Sequence, residues 1–139
     1  MSECPPIPGP ALSAVRLLYA EDCESNVMLF ELYLKHTPFV MTVAEDGQQA
    51  VEKFLAEPFD VVIMDIQMPV MDGCEATQAI RRHEADTGRA RTPIIAITAY
   101  ASKKNEEQAA QAGCDVFLTK PVRKAQLIEL IQKWGGKPD

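Results

Sequence analysis

Short apolar runs alternate along this chain with longer segments whose hydrophobic residues recur every three or four positions. Apolar, often β-branched runs bounded by turn residues indicate buried strands, whereas the wider spacing indicates amphipathic helices. Strands are predicted at residues 15–20, 39–44, 59–65, 93–98 and 115–118. Helices are predicted at residues 24–36, 47–55, 73–86, 101–112 and 124–134.

The order of these elements predicts the fold class. Strand and helix alternate five times with short connections, which is typical of an α/β fold with a parallel sheet and helices on both faces. In such sheets ligands bind beyond the carboxyl ends of the strands, where the winding reverses. The helix at 101–112 is polar and alanine-rich, so we expect it to be the least firmly packed of the five.

The two ends of the chain differ from its middle. Residues 1–14 contain four of the ten prolines and are predicted to form a flexible leader or linker. One folded domain is predicted over residues 15–134, and residues 135–139 are predicted to be a tail. A chain of 139 residues is long enough for one domain with a substantial core.

Composition and charge exclude several classes of function. The net charge of -6 argues against a nucleic-acid partner, because no basic stripe is available to follow phosphates. No apolar run reaches membrane-spanning length and the start lacks a signal-peptide pattern, so we expect a cytoplasmic protein without direct membrane contact. The four cysteines are widely spaced, which favours reduced thiols over a zinc site or disulfides. We expect Cys23 and Cys114 to be small buried residues.

Polar side chains stand where the predicted strands end. Asp65 ends the most apolar run, and a buried carboxylate there would cost several kcal/mol unless something compensated it. Because the carboxyl ends of parallel strands meet at one edge, we expect a cluster there. Its predicted members are Glu21, Asp22, Asp65, Thr98 and Lys120.

The cluster predicts a cation site. Three carboxylates close together repel one another and raise each other's pKa, and a hard divalent cation relieves that repulsion. Oxygen ligands alone favour Mg²⁺. Taken singly, Glu21-Asp22 fits a helix N-terminal cap, Lys120 a solvated lysine and Thr98 an ordinary strand threonine. Their positions at matching strand ends favour the metal site.

Several motifs in this order closely resemble the receiver domains of two-component response regulators. The matching pieces are Glu21-Asp22, MDIQMPVMDG at residues 64–73, Thr98-Ala99, AGCD at residues 112–115, and Lys120-Pro121. The resemblance covers residues 15–134, and the wording is most similar to receivers attached to hybrid sensor histidine kinases. It implies a flavodoxin-like sheet with strand order 2-1-3-4-5.

The resemblance also implies a role for each site residue. Asp65 would accept a phosphoryl group from a phosphohistidine, with Lys120 placing a charge on phosphoryl oxygen and Thr98 offering a hydroxyl. Mg²⁺ would be held by Asp22, Asp65 and the backbone carbonyl of Gln67, with Glu21 acting through water. The domain would thus be a signalling phosphoacceptor that catalyses its own phosphorylation and dephosphorylation, rather than an enzyme with a separate substrate.

Further positions match the switch of the family. Phe117 stands where an aromatic side chain turns inward on phosphorylation. Because phenylalanine lacks the hydroxyl of the commoner tyrosine, we expect a smaller population shift. Gln67 and Tyr100 match the positions that tune the lifetime of the acyl phosphate. Pro121 resembles the family's cis proline after the lysine.

The resemblance implies a histidine kinase or a histidine phosphotransfer protein as partner, docking on the helix at 24–36 and the loop at Pro121. A hybrid kinase as parent protein is a further expectation. A Mg²⁺-dependent phosphohydrolase with an aspartyl nucleophile is disfavoured, because Gln67 stands where haloacid-dehalogenase-like enzymes carry a second acid. A flavodoxin-like cofactor binder is disfavoured by the acids after the first strand, and an unphosphorylated interaction module by the retained site residues.

Overall fold

The computed structural model of the chain describes residues 14–68, 70–100 and 102–135. Its five strands are β1 (Arg16–Ala20), β2 (Val40–Ala44), β3 (Val61–Asp65), β4 (Ile94–Thr98) and β5 (Val116–Thr119). Its five helices are α1 (Glu24–Leu34), α2 (Gly47–Ala56), α3 (Gly73–Thr87), α4 (Lys103–Ala112) and α5 (Lys124–Gly135). All ten predicted elements are therefore present, with bounds that differ from the predicted ones by a few residues.

The strands form one sheet in the order β2-β1-β3-β4-β5, and each neighbouring pair is parallel. The predicted fold class and the strand order implied by the resemblance are confirmed. All five residues of β3 and all five of β4 are buried. Burial on both faces explains why these strands are continuous apolar runs rather than alternating ones.

Two apolar layers cover the sheet. On one face, α1 and α5 pack against side chains such as Leu17, Ile63 and Ile97. On the other, α2 and α3 pack against side chains such as Leu18 and Val62. Within α4 only Ala109 and Ala112 are buried, in line with the prediction that it packs least firmly. Among the described residues, no helix combines the length and the apolar character needed to cross a bilayer.

The first residue of α3 packs against the backbone of Asp65, the last residue of β3. The Asp72 side chain accepts a hydrogen bond from the Glu75 N–H at 2.9 Å, and the Glu75 carboxylate accepts one from the Asp72 N–H at 3.1 Å. This capping box satisfies two backbone donors at the start of the helix. Gly73 packs so closely that a Cβ there would overlap the backbone carbonyl oxygen of Asp65. The loop after Asp65 is thus held between a strand and a capped helix.

Two helix ends differ from the predicted ones. Helix α1 stops at Leu34 rather than at residue 36, and the Thr37 hydroxyl donates to the Leu34 carbonyl at 2.6 Å. His36 adopts a positive φ of 71°, and Pro38 disfavours helical backbone at the residue before it. At the other end of the chain, α5 includes Gly135, the first residue of the predicted tail. The rest of the predicted tail, and the predicted leader up to residue 13, lie outside the described residues.

An arginine on α3 forms hydrogen bonds with the segments that precede β4 and β5. The Arg81 guanidinium donates to Asp115 Oδ2 at 2.9 Å and to the Gly113 carbonyl at 2.9 Å. It also donates to Glu84 Oε1 at 2.8 Å and to the Thr92 carbonyl at 2.7 Å. Arg81 and its two acidic partners are mostly buried. The network therefore joins α3 to the segments that lead into β4 and β5.

We predict that Arg81→Met lowers the free energy of unfolding by about 3 kcal/mol, because it removes the arginine that pairs with the buried Glu84 and one of the two arginines that pair with Asp115. Urea denaturation measures this change. Arg82→Met is the matched control, since Arg82 lies next along α3 but is exposed. Equal stability losses for the two variants would contradict the structural role of the network.

Candidate functional site

The predicted cluster forms at the carboxyl edge of the sheet. Asp65 is the last residue of β3, Thr98 is the last residue of β4, and Glu21 and Lys120 directly follow β1 and β5. Glu21, Asp22 and Asp65 each offer a carboxylate oxygen, and these oxygens lie within 4.8 Å of one another. Residues distant in sequence are brought together because the parallel strands all end at this edge.

Lys120 bridges two of the acids. Its Nζ lies 2.9 Å from Asp65 Oδ2 and 3.0 Å from Glu21 Oε1. The contact with Asp65 follows from the predicted cluster, whereas the additional ion pair with Glu21 could not be predicted from the sequence. Burial alone would lower the pKa of Lys120, but its contacts with Asp65 and Glu21 outweigh burial and raise that pKa. The side chain therefore stays a cation.

Asp65 is almost fully buried, and each of its oxygens has a donor. Oδ2 accepts from Lys120, and Oδ1 accepts from the Gln67 N–H at 2.9 Å. Burial, followed by the contact with Glu21, raises the pKa of Asp65 to about 6. A buried carboxylate beside another acid holds a proton more tightly, so as the pH falls Asp65 is protonated before Glu21.

Glu21 is still more enclosed, with 1% of its surface exposed. Tyr19 donates its phenolic hydrogen to Glu21 Oε1 at 2.8 Å, and the Cys23 N–H donates to Oε2 at 3.2 Å. Burial works to raise the pKa of Glu21, but its contacts with Asp65, Tyr19 and Lys120 outweigh burial and lower it. Cys23 itself is exposed, so its predicted burial is wrong; the chain turns outward there to begin α1.

The donor set fits a hard divalent cation. Three carboxylates face one ammonium group, which leaves an excess of negative charge in a mostly buried space. All the available ligand atoms are oxygens, and Asp22 is exposed, so the cluster is open to solvent on its side. Mg²⁺ prefers such ligands and keeps part of its water shell. The Gln67 carbonyl remains a predicted ligand.

Thr98 and Gln67 lie on the neighbouring strand ends and contact each other. The buried Thr98 hydroxyl donates to Gln67 Oε1 at 3.5 Å and accepts from the Tyr100 N–H at 3.2 Å. Gln67 and the side chain of Tyr100 are exposed. Two predicted tuning positions therefore flank the strand ends that carry Asp65 and Thr98.

The remaining predicted positions lie on β5 and just after it. Phe117 pairs with Ala96 across the β4–β5 ladder and is half-buried against Ile66 and Ala109. The Lys120–Pro121 peptide bond is cis, as the resemblance implied. Beside it, a cavity of about 290 Å³ runs along α1 to Lys120. Its lining residues are Tyr19, Asn26, Leu29, Phe30, Ile97, Lys120, Pro121 and Val122.

Comparison with known proteins agrees with this geometry. The family model for the response regulator receiver domain matches residues 17–132. The sensor protein GacS of Pseudomonas syringae pv. syringae is 40% identical over 130 residues, which cover 92% of this chain and 14% of GacS. The chain thus spans about a seventh of that relative.

Two solved structures share the fold closely. One is a co-crystal structure of the histidine phosphotransfer protein Ypd1 and the receiver domain of Ssk1 from Saccharomyces cerevisiae, with a TM-score of 0.85, 30% identity, and coverage of 91% of this chain and 92% of that chain. The other is the receiver domain of the sensor histidine kinase PA1611 from Pseudomonas aeruginosa PAO1, with magnesium in its active site cleft. Its TM-score is 0.79 at 35% identity, covering 90% of this chain and 100% of that chain.

The strand order, the acids at the strand ends and the bridging lysine all lie within the matched residues 17–132. The family model covers far more than half of the chain, and the solved structures reproduce its fold along about nine-tenths of its length. The chain therefore belongs to the response regulator receiver domain family.

Proposed function

We propose that Asp65 accepts a phosphoryl group from a phosphohistidine on a partner protein in a Mg²⁺-dependent step. The observation that carries this proposal is the cluster itself: a buried aspartate paired with a lysine beside two further acids. A carboxylate oxygen of Asp65 attacks phosphorus while the P–N bond to the histidine breaks and its electron pair returns to the imidazole. The product on this chain is an acyl phosphate.

Mg²⁺ would be held by Asp22, Asp65 and the Gln67 carbonyl, with Glu21 acting through water. When bound, it supplies positive charge that offsets the acids and the transferring phosphoryl group. The PA1611 receiver, which carries magnesium in its active site cleft, supports this choice of ion. The acidic cluster supports it independently, because its oxygens already lie within reach of one another.

The protein's own groups position the reacting atoms. Lys120 holds Asp65 Oδ2 at 2.9 Å and can follow the developing charge onto a phosphoryl oxygen, because its ammonium has three donors. The Gln67 N–H fixes the other Asp65 oxygen. The Thr98 hydroxyl, at the end of the next strand, offers a donor to the phosphoryl group once that group is attached. Such positioning and electrostatics supply most of the catalysis in phosphoryl transfer.

The same residues support a switch. Thr98 moving toward the phosphoryl group would vacate space near β5, and Phe117 would turn toward it. Gln67 and Tyr100, which flank the strand ends, would tune how fast water attacks the acyl phosphate. We propose that the domain catalyses this dephosphorylation itself.

The partner we propose is a histidine kinase or a histidine phosphotransfer protein. The cavity along α1 leads to Lys120 and is lined by Leu29, one of three exposed apolar side chains of α1 together with Met28 and Leu32. The pairing of Ypd1 with the Ssk1 receiver supports a phosphotransfer partner, and the match to GacS supports a hybrid kinase as parent protein. We propose that the domain works in the cytoplasm without contacting a membrane or nucleic acid.

Incubation with acetyl phosphate and Mg²⁺ tests the phosphoacceptor. We predict one hydroxylamine-labile phosphoryl group per chain, none in Asp65→Asn, and none when EDTA removes Mg²⁺. Lys120→Ala should slow the reaction about a hundredfold, because it removes a charge aimed at the transition state. Intact-mass spectrometry and radiolabel incorporation measure these changes.

Lys124→Ala and Asp86→Asn are the matched controls, since both side chains are exposed on helices. Both variants should react like the wild-type chain. Phosphate that survives hydroxylamine, or labelling that persists in Asp65→Asn, would contradict the proposal.

Leu32 on α1 lies on the surface where we propose that the partner docks. Leu32→Asp, on the exposed face of α1, should slow transfer from a phosphorylated phosphotransfer protein such as Ypd1 at least about tenfold, because the interface would bury an unpaired charge. The rate with acetyl phosphate should not change. Leu55→Asp is the control, since Leu55 is a similarly exposed leucine on α2. A Leu55→Asp effect as large as that of Leu32→Asp would place the partner elsewhere.

The side chain of Phe117 reports on the proposed switch. With beryllofluoride as a phosphoryl mimic, we predict that the ring signals of Phe117 move only part of the way to an inward state, because phenylalanine has no hydroxyl to fix that state. Phe117→Tyr should increase the inward population. NMR of ring-labelled protein measures both populations. A complete shift in the wild-type chain would show that the hydroxyl is not needed.

A further inference from the structure

The hydroxyl of Tyr19 contacts the acid cluster from inside the core. Tyr19 lies on β1, two residues before Glu21, and is fully buried. Its hydroxyl donates to Glu21 Oε1 at 2.8 Å, and the same oxygen lies 3.0 Å from Lys120 Nζ. A carboxylate oxygen has two lone pairs, so these two donors together satisfy Glu21 Oε1.

The position of this hydroxyl is set by packing rather than by solvent. The Tyr19 ring stacks on Phe30 of α1, with centroids 4.3 Å apart and an interplanar angle of 15°. Both rings belong to the core cluster between the sheet, α1 and α5. Stacked, buried rings have few alternative rotamers, so the hydroxyl is a preorganised donor. A phenylalanine would fill nearly the same space without that donor.

Lys120 is the less permanent of the two donors. Under the proposed function, on which this inference rests, its ammonium moves toward a phosphoryl group on Asp65. That movement lengthens the contact with Glu21. Glu21 is 1% exposed, so apart from the water through which it would act on Mg²⁺, solvent cannot readily replace the lost donor. A buried carboxylate oxygen left without a donor costs more than the net value of an ordinary hydrogen bond.

We infer that Tyr19 is a positioning residue. It keeps Glu21 hydrogen-bonded while the ammonium of Lys120 moves from Glu21 and Asp65 to the phosphoryl group. Tyr19 acts through Glu21 and does not touch the reacting atoms. Its hydroxyl therefore stabilises the phosphorylated arrangement more than the resting one, in which Lys120 also serves Glu21 Oε1. The residue type at this β1 position would then set how readily the lysine is released.

Tyr19→Phe tests the inference, with beryllofluoride as the probe. At saturating Mg²⁺ we expect the affinity for beryllofluoride, followed by ¹⁹F NMR, to fall about tenfold, the range for losing a hydrogen bond to a charged group. Affinity for Mg²⁺ alone, measured by calorimetry, should change less than about threefold, since Lys120 still serves Glu21 in that state. Tyr33→Phe is the control, because Tyr33, on α1, also stacks on Phe30, with ring centroids 6.0 Å apart. It should alter neither affinity.

A double-mutant cycle separates positioning from general packing. In a Glu21→Gln background, Tyr19→Phe should weaken beryllofluoride binding less than about threefold, because the charged acceptor is gone. An undiminished tenfold effect in that background, or no effect in the wild-type background, would overturn the inference and leave the proposed function intact. A wild-type chain that binds no beryllofluoride would overturn both.

A measurement on the unmutated chain gives a second test. With ¹³Cζ-labelled tyrosine, the Tyr19 signal should shift when beryllofluoride binds, since its hydroxyl becomes the main side-chain donor to Glu21. The Tyr33 signal provides the internal reference. An unchanged Tyr19 signal in the beryllofluoride complex would overturn the inference whether or not Tyr19→Phe folds.

Discussion

The mutual repulsion of buried carboxylates is the constraint on which this structure depends. Glu21 and Asp65 lie at the ends of adjacent strands with almost no exposure, and Lys120 contacts both of them. Such an arrangement is costly unless cations and hydrogen-bond donors compensate it. The folded chain therefore holds an excess of negative charge at this site. The binding of a cation or the attachment of a phosphoryl group changes the local electrostatic energy more here than elsewhere in the domain.

The topology of the sheet, rather than proximity in the sequence, brings these residues together. Two complete helix-strand units separate residue 21 from residue 65, and two more separate residue 65 from residue 120. The register of the parallel strands nevertheless brings the three residues to one edge. The apolar side chains above and below the sheet keep water out from both faces. Stability and chemistry thus share the same strands, since the continuous apolar runs that build the core also bury the acids at their ends.

Much of this architecture could be predicted from the sequence, because hydrophobic periodicity identifies the elements and their alternation determines a parallel sheet. The grouping of Asp65 with Lys120 followed from strand ends alone. The contact of Tyr19 with Glu21 could not be predicted, because alternation on a buried strand makes Tyr19 look like another core residue. The Arg81 network could not be predicted either. Its acceptors include backbone carbonyls, and every residue has one, so the sequence does not indicate which of them an arginine will contact. Cys23 was misjudged because its exposure depends on where α1 begins.

The Arg81 network has a mechanical consequence for the last strand. Asp115, directly before β5, accepts hydrogen bonds from Arg81 and from the Ile94 N–H at 2.9 Å each. At the opposite end, Thr119 is exposed and leads directly to Lys120. The ion pair with Arg81 thus holds β5 where the strand enters the sheet. Where the strand leaves, it is held by the hydrogen bond from the Lys120 N–H to the Thr98 carbonyl at 2.7 Å and by the contacts of the Lys120 side chain with Asp65 and Glu21. If Lys120 moved away from these acids, β5 would pivot about its entry into the sheet. Phe117, which lies near that entry, would then be displaced less than Thr119 at the other end of the strand.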